Sequence, residues 1–278
     1  MTPVPRPRPR LIGLPYDASS SFLRGSADAP PLIRAALHSI AGNSWTEQLR
    51  DLAGAGGLAD AGDLVLSPAP AEARVEIEAG IAALLADGYR PLALGGDHSV
   101  TYPVLRAVSR VHAPLTILHI DAHADLYAEF DGDPFSHACP FARIMEAGLA
   151  SRLVQIGIRT MNGHQRLQAD RFGVEVIDMA GWVAGMRPRL DGALYLSIDL
   201  DALDPAYAPG VSHREPGGLS VRDVVALVQG VEGDVVGADL VEYTPRQDVA
   251  GLTATVAAKI VKELAGRMLA DAAPIGHQ

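Results

Sequence analysis

Residues 115–125 read LTILHIDAHAD, and residues 90–99 read RPLALGGDHS. In both stretches a short apolar run ends abruptly in polar side chains. Two later stretches have the same design, ALYLSIDLD at 193–201 and VVGADLVEYTP at 235–245. Continuously apolar runs of this length are typical of parallel strands that are covered on both faces. The four stretches therefore predict strands of one sheet, with polar groups gathered along the edge where the strands end.

The remainder of the chain alternates between such runs and longer helical patterns, which predicts an α/β fold with a mainly parallel sheet. We expect a flexible tail rich in proline and arginine at residues 1–10 and a single domain at 11–278. Strands are predicted at 10–14, 90–94, 115–120, 153–158, 174–177, 193–198 and 235–241. Helices are predicted at 71–87, 102–111, 141–147, 221–229 and 253–269.

Composition narrows the class of protein. The 278 residues carry a net charge of −10, which argues against nucleic acid or an anionic membrane as a partner and is compatible with a cationic ligand. No apolar stretch approaches the roughly 18–20 residues that a membrane helix needs. The single cysteine, Cys139, cannot form an internal disulfide, which favours a reducing compartment, and we expect a cytoplasmic protein.

The polar ends of the predicted strands suggest a metal centre. Side chains at i and i+2 of an extended chain point the same way, so Asp121 with His123 and Asp199 with Asp201 would form two donor pairs. One such cluster alone is more often a cap or turn, but three clusters on one sheet edge favour a shared site. Four converging carboxylates would repel one another unless two divalent ions balanced them, and the oxygen-rich donor set favours Mn²⁺. The predicted ligands are His98, Asp121, His123, Asp125, Asp199 and Asp201.

These motifs resemble those of the ureohydrolase family, which includes arginase, agmatinase and related amidinohydrolases. The matching segments are GGDHS at 95–99, DAHADLY at 121–127, SIDLDALDPAYAPG at 197–210 and EYTP at 242–245. The likeness runs from about residue 11 to residue 269 and is greatest to the plant-type arginase branch. It implies a three-layer α/β/α sandwich of the arginase/deacetylase type, two Mn²⁺ per chain, and hydrolysis of a guanidino group to urea and an amine.

The resemblance also implies roles for single residues. His98, Asp121, Asp125 and Asp199 match the ligands of one ion. His123, Asp121, Asp199 and Asp201 match those of the other ion. His137 matches the catalytic histidine, Glu242 matches the carboxylate that holds the guanidinium, and Asp125 is a second candidate proton relay.

Reasoning from residue types alone leaves some of these roles open. His137 lies in a polar loop and could equally cap the following helix, and Glu242 alone would more often be a solvated acid. A thiol nucleophile at Cys139 is conceivable, but activated water does not require one, and we interpret Cys139 as a packing residue.

Substrate choice is where the sequence departs from animal arginases. His213 stands where a threonine often contacts the guanidinium, and no acid follows the segment Gly157-Ile158-Arg159. We therefore extend the predicted substrate contacts beyond Glu242 and His137 to four further residues, His213, Glu129, Asp131 and Asn162.

The function predicted from these features is hydrolysis of L-arginine to L-ornithine, with agmatinase or another guanidino-acid hydrolase as the alternative. A different dinuclear hydrolase such as a phosphoesterase is disfavoured, since no basic cluster near the motifs would bind phosphate. An inactive metal-binding homologue would lack an expected group, and every one is present. The resemblance also implies a homo-oligomer, either a trimer or a hexamer.

Overall fold

The apolar runs form one central sheet of eight strands in the computed structural model, which describes residues 7–54 and 56–270. Every neighbouring pair of strands is parallel. The strands are β1 (Arg8–Gly13), β2 (Ala59–Asp63), β3 (Tyr89–Leu94), β4 (Leu115–Ile120), β5 (Arg152–Ile158), β6 (Glu175–Asp178), β7 (Ala193–Asp199) and β8 (Asp234–Val241). Their order across the sheet is β2-β1-β3-β8-β7-β4-β5-β6.

Helices cover both faces of the sheet, which makes three layers. They are α1 (Ala29–Leu37), α2 (Pro70–Ala86), α3 (Thr101–Val108), α4 (Pro140–Glu146), α5 (Gly163–Phe172), α6 (Met179–Val183), α7 (Val221–Gly230) and α8 (Leu252–Ala270). One core lies between the sheet and α1, α6, α7 and α8, and a second lies between the sheet and α2, α3, α4 and α5. Neighbouring residues of β4 alternate between them, with Ile117 in the second core and Leu118 in the first. The predicted α/β/α sandwich with a parallel sheet is confirmed.

The sheet begins earlier in the chain than predicted. Residues 1–6 of the predicted tail lie outside the described residues, but β1 already starts at Arg8. Arg8 pairs with Tyr89 of β3, and the Arg10 guanidinium stacks 4.8 Å from the centre of the Tyr89 ring. Hydrogen bonding along β3 and this cation–π contact therefore draw a proline- and arginine-rich segment into the sheet.

Two elements near the start of the chain carry no strong sequence signal. The segment ADAGD that forms β2 is acidic and has no apolar run, and α1 opens with Pro30 and Pro31. Prolines are tolerated in the first turn of a helix because those N–H groups have no partner within the helix. Arg34 of α1 then pairs with Asp60 and Asp63 at the two ends of the acidic β2 segment.

The five predicted helices are present as α2, α3, α4, α7 and α8, with ends that differ by at most three residues, whereas α5 and α6 were not predicted. At α7 a capping box is present, since Asp223 N–H donates to Ser220 Oγ and Ser220 N–H donates back to Asp223. Within the described part of the chain, no helix combines the length and apolar character needed to cross a membrane.

Candidate metal centre and active site

The four strands that end in polar motifs are neighbours in the middle of the sheet. Their order is β3-β8-β7-β4, and in a parallel sheet their carboxyl ends lie along one edge. The polar residues at the ends of these strands therefore meet in one place, although they are far apart in the chain. They are residues 98, 121–125, 199–201 and 242.

The first group of candidate ligands surrounds one nitrogen of His98. Nδ1 of His98 lies 3.1–3.2 Å from three carboxylate oxygens, which belong to Asp121, Asp125 and Asp199. It nevertheless makes no properly directed hydrogen bond to any of them. Neighbouring ligands around an octahedral ion with bonds of about 2.1 Å lie about 3 Å apart, so the spacing fits a shared cation.

Hydrogen bonds on the other side of the His98 ring support this interpretation. Ser197 Oγ donates to the buried carboxylate of Asp239 at 2.6 Å, so the His98 Nε2–H must donate to Ser197 at 3.0 Å. In the neutral imidazole this leaves the lone pair on Nδ1 facing the three carboxylates. Such an arrangement is repulsive unless a proton or a metal ion lies between them.

The second group of candidate ligands is centred on His123. Its Nδ1 lies 3.0 Å from Asp201 Oδ2 and 3.5 Å from Asp121 Oδ1. These three residues can direct one ligand atom each at a single point. Because Asp121 presents one oxygen to each histidine, it joins the two groups.

The buried carboxyl groups of the site have too few positive charges near them to ionise readily. Burial and repulsion from Asp201 and Asp121 raise the pKa of Asp199 well above its usual value. Burial likewise raises the pKa of Asp201 to about 6, although the nearby His123 opposes this. Carboxyl groups that resist ionisation in this way would ionise readily beside divalent cations. The donor set therefore fits a site for metal ions.

His119 is an additional buried histidine that sequence reasoning did not select. Its Nε2–H donates to Asp121 Oδ2 at 2.7 Å, and its Nδ1 accepts from Gln155 at 3.0 Å. The ring also stacks on Phe141, 3.8 Å between ring centres. A histidine inside an apolar strand, two residues before an aspartate, is the signal that could have found it, because burial requires a partner.

A second histidine links Glu242 to the loop after β1. His137 Nδ1 lies 3.2 Å from Glu242 Oε1, and its Nε2 lies 2.8 Å from Ser21 Oγ. Burial lowers the pKa of His137, but the hydrogen bond and charge of Glu242 outweigh it and raise that pKa to about 9. The protonated ring then donates at both nitrogens. Sequence reasoning missed Ser21, which is 116 residues away in the chain.

Two residues of the site adopt a strained backbone. Asp125 has φ of 49° and Glu242 has φ of 65°, in the left-handed region that side chains with a Cβ usually avoid. Glu242 is held there by Gly96 O, which accepts from its N–H at 2.9 Å. Glycine at position 96 is needed for a close approach rather than a sharp turn, since a Cβ there would lie 1.7 Å from Tyr16 O.

A cavity of about 250 Å³ opens onto these groups. His213, one of the predicted substrate contacts, lines it, with its ring centre 5.3 Å from that of His137. Burial lowers the pKa of His213, which favours the neutral ring. The cavity is lined by Ser21, His123, Asp125, Tyr127, Phe130, His137, Ala138, Thr160, Gln165, Asp199, Asp201, His213 and Glu242.

Three of the predicted substrate contacts do not line this cavity, and their contact with substrate stays a prediction. Glu129 and Asp131 are exposed and do not line the cavity, because the chain turns at Asp131 and presents Phe130 inward instead. Asn162 is the N-cap of α5, and its side chain is engaged by Gln165 and Tyr127. Gln165 and Tyr127, which were not predicted as contacts, occupy the cavity wall.

Cys139 is a packing residue, as interpreted from the sequence. It is fully buried beneath the loop that carries His137, and its thiol donates weakly to Asp133 O. Burial raises the pKa of the thiol to about 12, so a reactive thiolate is negligible at neutral pH.

Comparison with known proteins places this geometry in a family. The sequence pattern of the arginase family matches residues 8–266. The chain is 47% identical to arginase 1, mitochondrial, of Arabidopsis thaliana, over 93% of this chain and 80% of that protein. The agmatinase of Gallus gallus is more distant, at 34% identity over 91% of this chain and 79% of that protein.

The solved structure of arginase from Medicago truncatula has a TM-score of 0.91 and 42% identity to this chain. The match covers 95% of this chain and 88% of that one.

The names of these relatives correct one prediction. Similar plant arginases are named mitochondrial, or chloroplastic/mitochondrial, which contradicts the cytoplasmic location expected from the sequence. A lone cysteine argues only against an oxidising compartment, and therefore it could not single out the cytoplasm.

The family pattern and the plant relatives match nearly the whole length of this chain, and the parallel sheet carries ligand-type side chains along one edge. This chain therefore belongs to the arginase family.

Proposed function

We propose that this protein is an arginase, which hydrolyses the guanidino group of L-arginine to urea and L-ornithine. The observation that carries the proposal is the buried carboxylate of Glu242, which lines the same cavity as the candidate ligands Asp125, Asp199 and Asp201. The arginases of Arabidopsis and Medicago, at 45–47% identity, support arginine over agmatine as the substrate.

We propose that the site holds two Mn²⁺ ions. His98, Asp121, Asp125 and Asp199 would hold one ion, and Asp121, His123, Asp199 and Asp201 would hold the other. The support is the spacing of donor atoms around His98 and His123 and the repulsion among the buried carboxylates. When bound, such a pair of ions supplies a water that ionises near neutral pH.

Glu242 would bind and orient the guanidinium. Its Oε1 accepts from His98 N–H at 2.9 Å, whereas its Oε2 has no hydrogen-bond partner among the residues that the structure describes. A carboxylate that is fixed through one oxygen can receive guanidinium N–H groups through the other. This would hold the electrophilic carbon in line with the metal centre.

His137 would supply the proton that the departing amine needs. Its raised pKa of about 9 keeps the ring protonated at neutral pH, with Ser21 as a hydrogen-bond acceptor on Nε2. After the tetrahedral intermediate forms, a proton from His137 can reach the leaving nitrogen, and Asp125 is the second candidate relay. Ser21 would orient the ring throughout.

Urea release from arginine, agmatine, 4-guanidinobutyrate and guanidine, with added Mn²⁺, tests the proposal. We expect arginine to be hydrolysed with the highest kcat/KM. If agmatine has the highest kcat/KM instead, the proposed function changes from arginase to agmatinase. Urea from none of the four would favour a different hydrolase or an inactive homologue, although none of the described residues lining the cavity is the lysine or arginine that a phosphate ester would need.

We also propose that the protein is a trimer or hexamer. Large apolar side chains such as Ile40, Leu49 and Val249 are mostly exposed in the single chain, and association would bury such surface. Light scattering of the purified protein gives the mass directly, and a monomer would reject the proposal.

His137→Ala is expected to lower kcat by about 10²–10⁴-fold, the range for loss of a proton-transfer group, while both metals remain bound. Ser21→Ala should lower kcat by a smaller factor, since it removes only the hydrogen bond that orients the ring. Ser20→Ala is the matched control, because the Ser20 hydroxyl contacts Asp97 rather than His137. Steady-state urea release measures all three variants. An unchanged kcat in His137→Ala would show that the relay role is wrong.

A further inference from the structure

His119 is a buried histidine of β4 that the proposed reaction leaves without a role. Its side chain is completely enclosed, and its Nε2 lies among the candidate ligands. His98, His119 and Asp121 can each direct one ligand-type atom into the same small region. A histidine in this position either binds an ion itself or holds a neighbouring ligand in place. The two roles require different hydrogen positions on the ring, because a nitrogen that binds a metal must present its lone pair.

Gln155 of β5 fixes the hydrogen positions on the His119 ring. Its Nε2 lies 2.6 Å from Ala124 O and 3.0 Å from His119 Nδ1. A backbone carbonyl can only accept, so the first contact identifies the NH₂ end of the amide. The second N–H then donates to His119, and Nδ1 presents the lone pair of a neutral ring. The ring hydrogen is therefore on Nε2.

Gln155 orients the ring although its own oxygen is left unsatisfied. Oε1 is buried and has no hydrogen-bond partner among the residues that the structure describes. Turning the amide over would not correct this, because Oε1 would then face the carbonyl oxygen of Ala124. An unsatisfied buried polar atom in a native fold calls for an explanation. Orientation of His119 supplies one, since one amide hydrogen anchors Gln155 and the other sets the tautomer of the ring.

The Nε2–H group of His119 points at the carboxylate that joins the two groups of candidate ligands. It donates to Asp121 Oδ2 at 2.7 Å, and the same oxygen lies 3.2 Å from His98 Nδ1. The other oxygen, Oδ1, accepts from the backbone N–H of His123 at 2.6 Å. Each oxygen of Asp121 therefore has one fixed donor and keeps lone-pair capacity for an ion. The stack on Phe141 restrains the His119 ring further.

We propose that His119 is a positioning residue and not a metal ligand: oriented by Gln155, it fixes Asp121 Oδ2 in the position from which an ion is bound. The inference rests on the proposed metal centre and deepens it. A carboxylate that is held through both oxygens does not have to be ordered when an ion arrives, which favours binding. A neutral donor also suits this place better than a cationic one, because a positive charge there would repel the ions.

Two replacements of His119 separate its two hydrogen bonds. Asparagine places its amide where Nδ1 was, and glutamine places it where Nε2 was. His119→Asn therefore keeps a partner for Gln155 and loses the donor to Asp121, whereas His119→Gln does the reverse. We expect Mn²⁺ to bind His119→Asn about 10–100-fold more weakly than the unchanged protein, and His119→Gln to stay within about threefold of it. Calorimetric titration with Mn²⁺, after a chelator has removed bound metal, measures these affinities.

A purely structural role for His119 predicts the opposite order, because His119→Gln leaves the buried Gln155 without its acceptor. Equal affinities in the three proteins, equal losses in both variants, or a greater loss in His119→Gln would each overturn the inference. His38→Asn is the matched control, since His38 is exposed at the end of α1 and the same exchange there should leave the Mn²⁺ affinity unchanged. The melting temperature of each metal-free protein verifies that it folds.

A crystal structure of the unchanged protein with Mn²⁺ tests the inference without any variant. We expect His119 Nε2 to keep its hydrogen bond to Asp121, and an ion at bonding distance from Nε2 would overturn the inference by making His119 a ligand. If the unchanged protein binds no Mn²⁺, the proposed metal centre fails and the positioning role fails with it. Tight binding by the unchanged protein together with unaltered affinity in His119→Asn rejects the positioning role alone.

Discussion

Asp121→Ala is expected to abolish both metal content and urea release. Asp121 is fully buried, and its two oxygens face different histidines, Oδ2 toward His98 and Oδ1 toward His123. Alanine would remove a ligand from both proposed ions at once and leave His119 Nε2 without its acceptor. The bound metals would stabilise the transition state by several kcal/mol, and losing that stabilisation corresponds to a fall in kcat of about 10³-fold or more.

Elemental analysis of the purified variant, together with a urea assay in added Mn²⁺, measures this result. Asp178→Ala is a suitable control, since Asp178 caps α6 at the surface and should affect stability by about 1 kcal/mol without changing metal content. Two metals per chain in Asp121→Ala would contradict a ligand shared between the ions.

The sheet was predictable because burial on both faces leaves a simple pattern. The runs that form β4 and β7 are apolar throughout, and the structure places them between two helical layers. The acidic β2 was missed for the complementary reason: it lies at the edge of the sheet, and its place depends on pairing with β1 and on Arg34. Edge pairing of this kind has no local signal in the sequence.

The proposed ligands were predictable from local spacing, whereas the cavity wall was not. Asp121 with His123, and Asp199 with Asp201, are two residues apart, and each pair lies where a strand ends. Ser21, by contrast, reaches His137 from the loop after β1, which is held by hydrogen bonds from Ser19 N–H to the buried Asp97 carboxylate and from His137 N–H to Ser19 O. Serine in a loop is too common to indicate such a contact.

Three predicted substrate contacts lie outside the cavity wall for a related reason. Glu129 and Asp131 were selected for their charge and for their nearness in sequence to Asp125, but a turn carries both side chains outward. Gln165 was overlooked as a lining residue because a glutamine near the start of a helix is typical of a cap, which Gln165 does form at α5. Its place in the cavity wall depends on the position of α5 relative to the sheet edge, and that requires coordinates.

Glu242→Gln is expected to lower kcat/KM for arginine by about 10³-fold while the metals remain bound. The amide keeps an oxygen to accept from His98 N–H, so the strained backbone at position 242 and the neighbouring ligands should be preserved. What is lost is the negative charge that would pair with the guanidinium in a desolvated site, and losing one partner of such a pair costs about 2–5 kcal/mol. Glu232→Gln makes the same charge change at an exposed position and should leave kcat/KM unchanged.

The same variant should also shift the pH dependence of urea release. In the unchanged protein Glu242 raises the pKa of His137 to about 9, so the ring keeps its proton at neutral pH and loses it as the pH rises through that value. Without the carboxylate, burial dominates, and the proton is lost at lower pH. The basic limb of the kcat profile should therefore move toward neutral pH, whereas Glu232→Gln should leave it in place. If the profile does not move, Glu242 does not control the protonation of His137. If kcat/KM stays within about twofold of that of the unchanged protein, Glu242 does not bind the guanidinium. Either role requires the negative charge of Glu242.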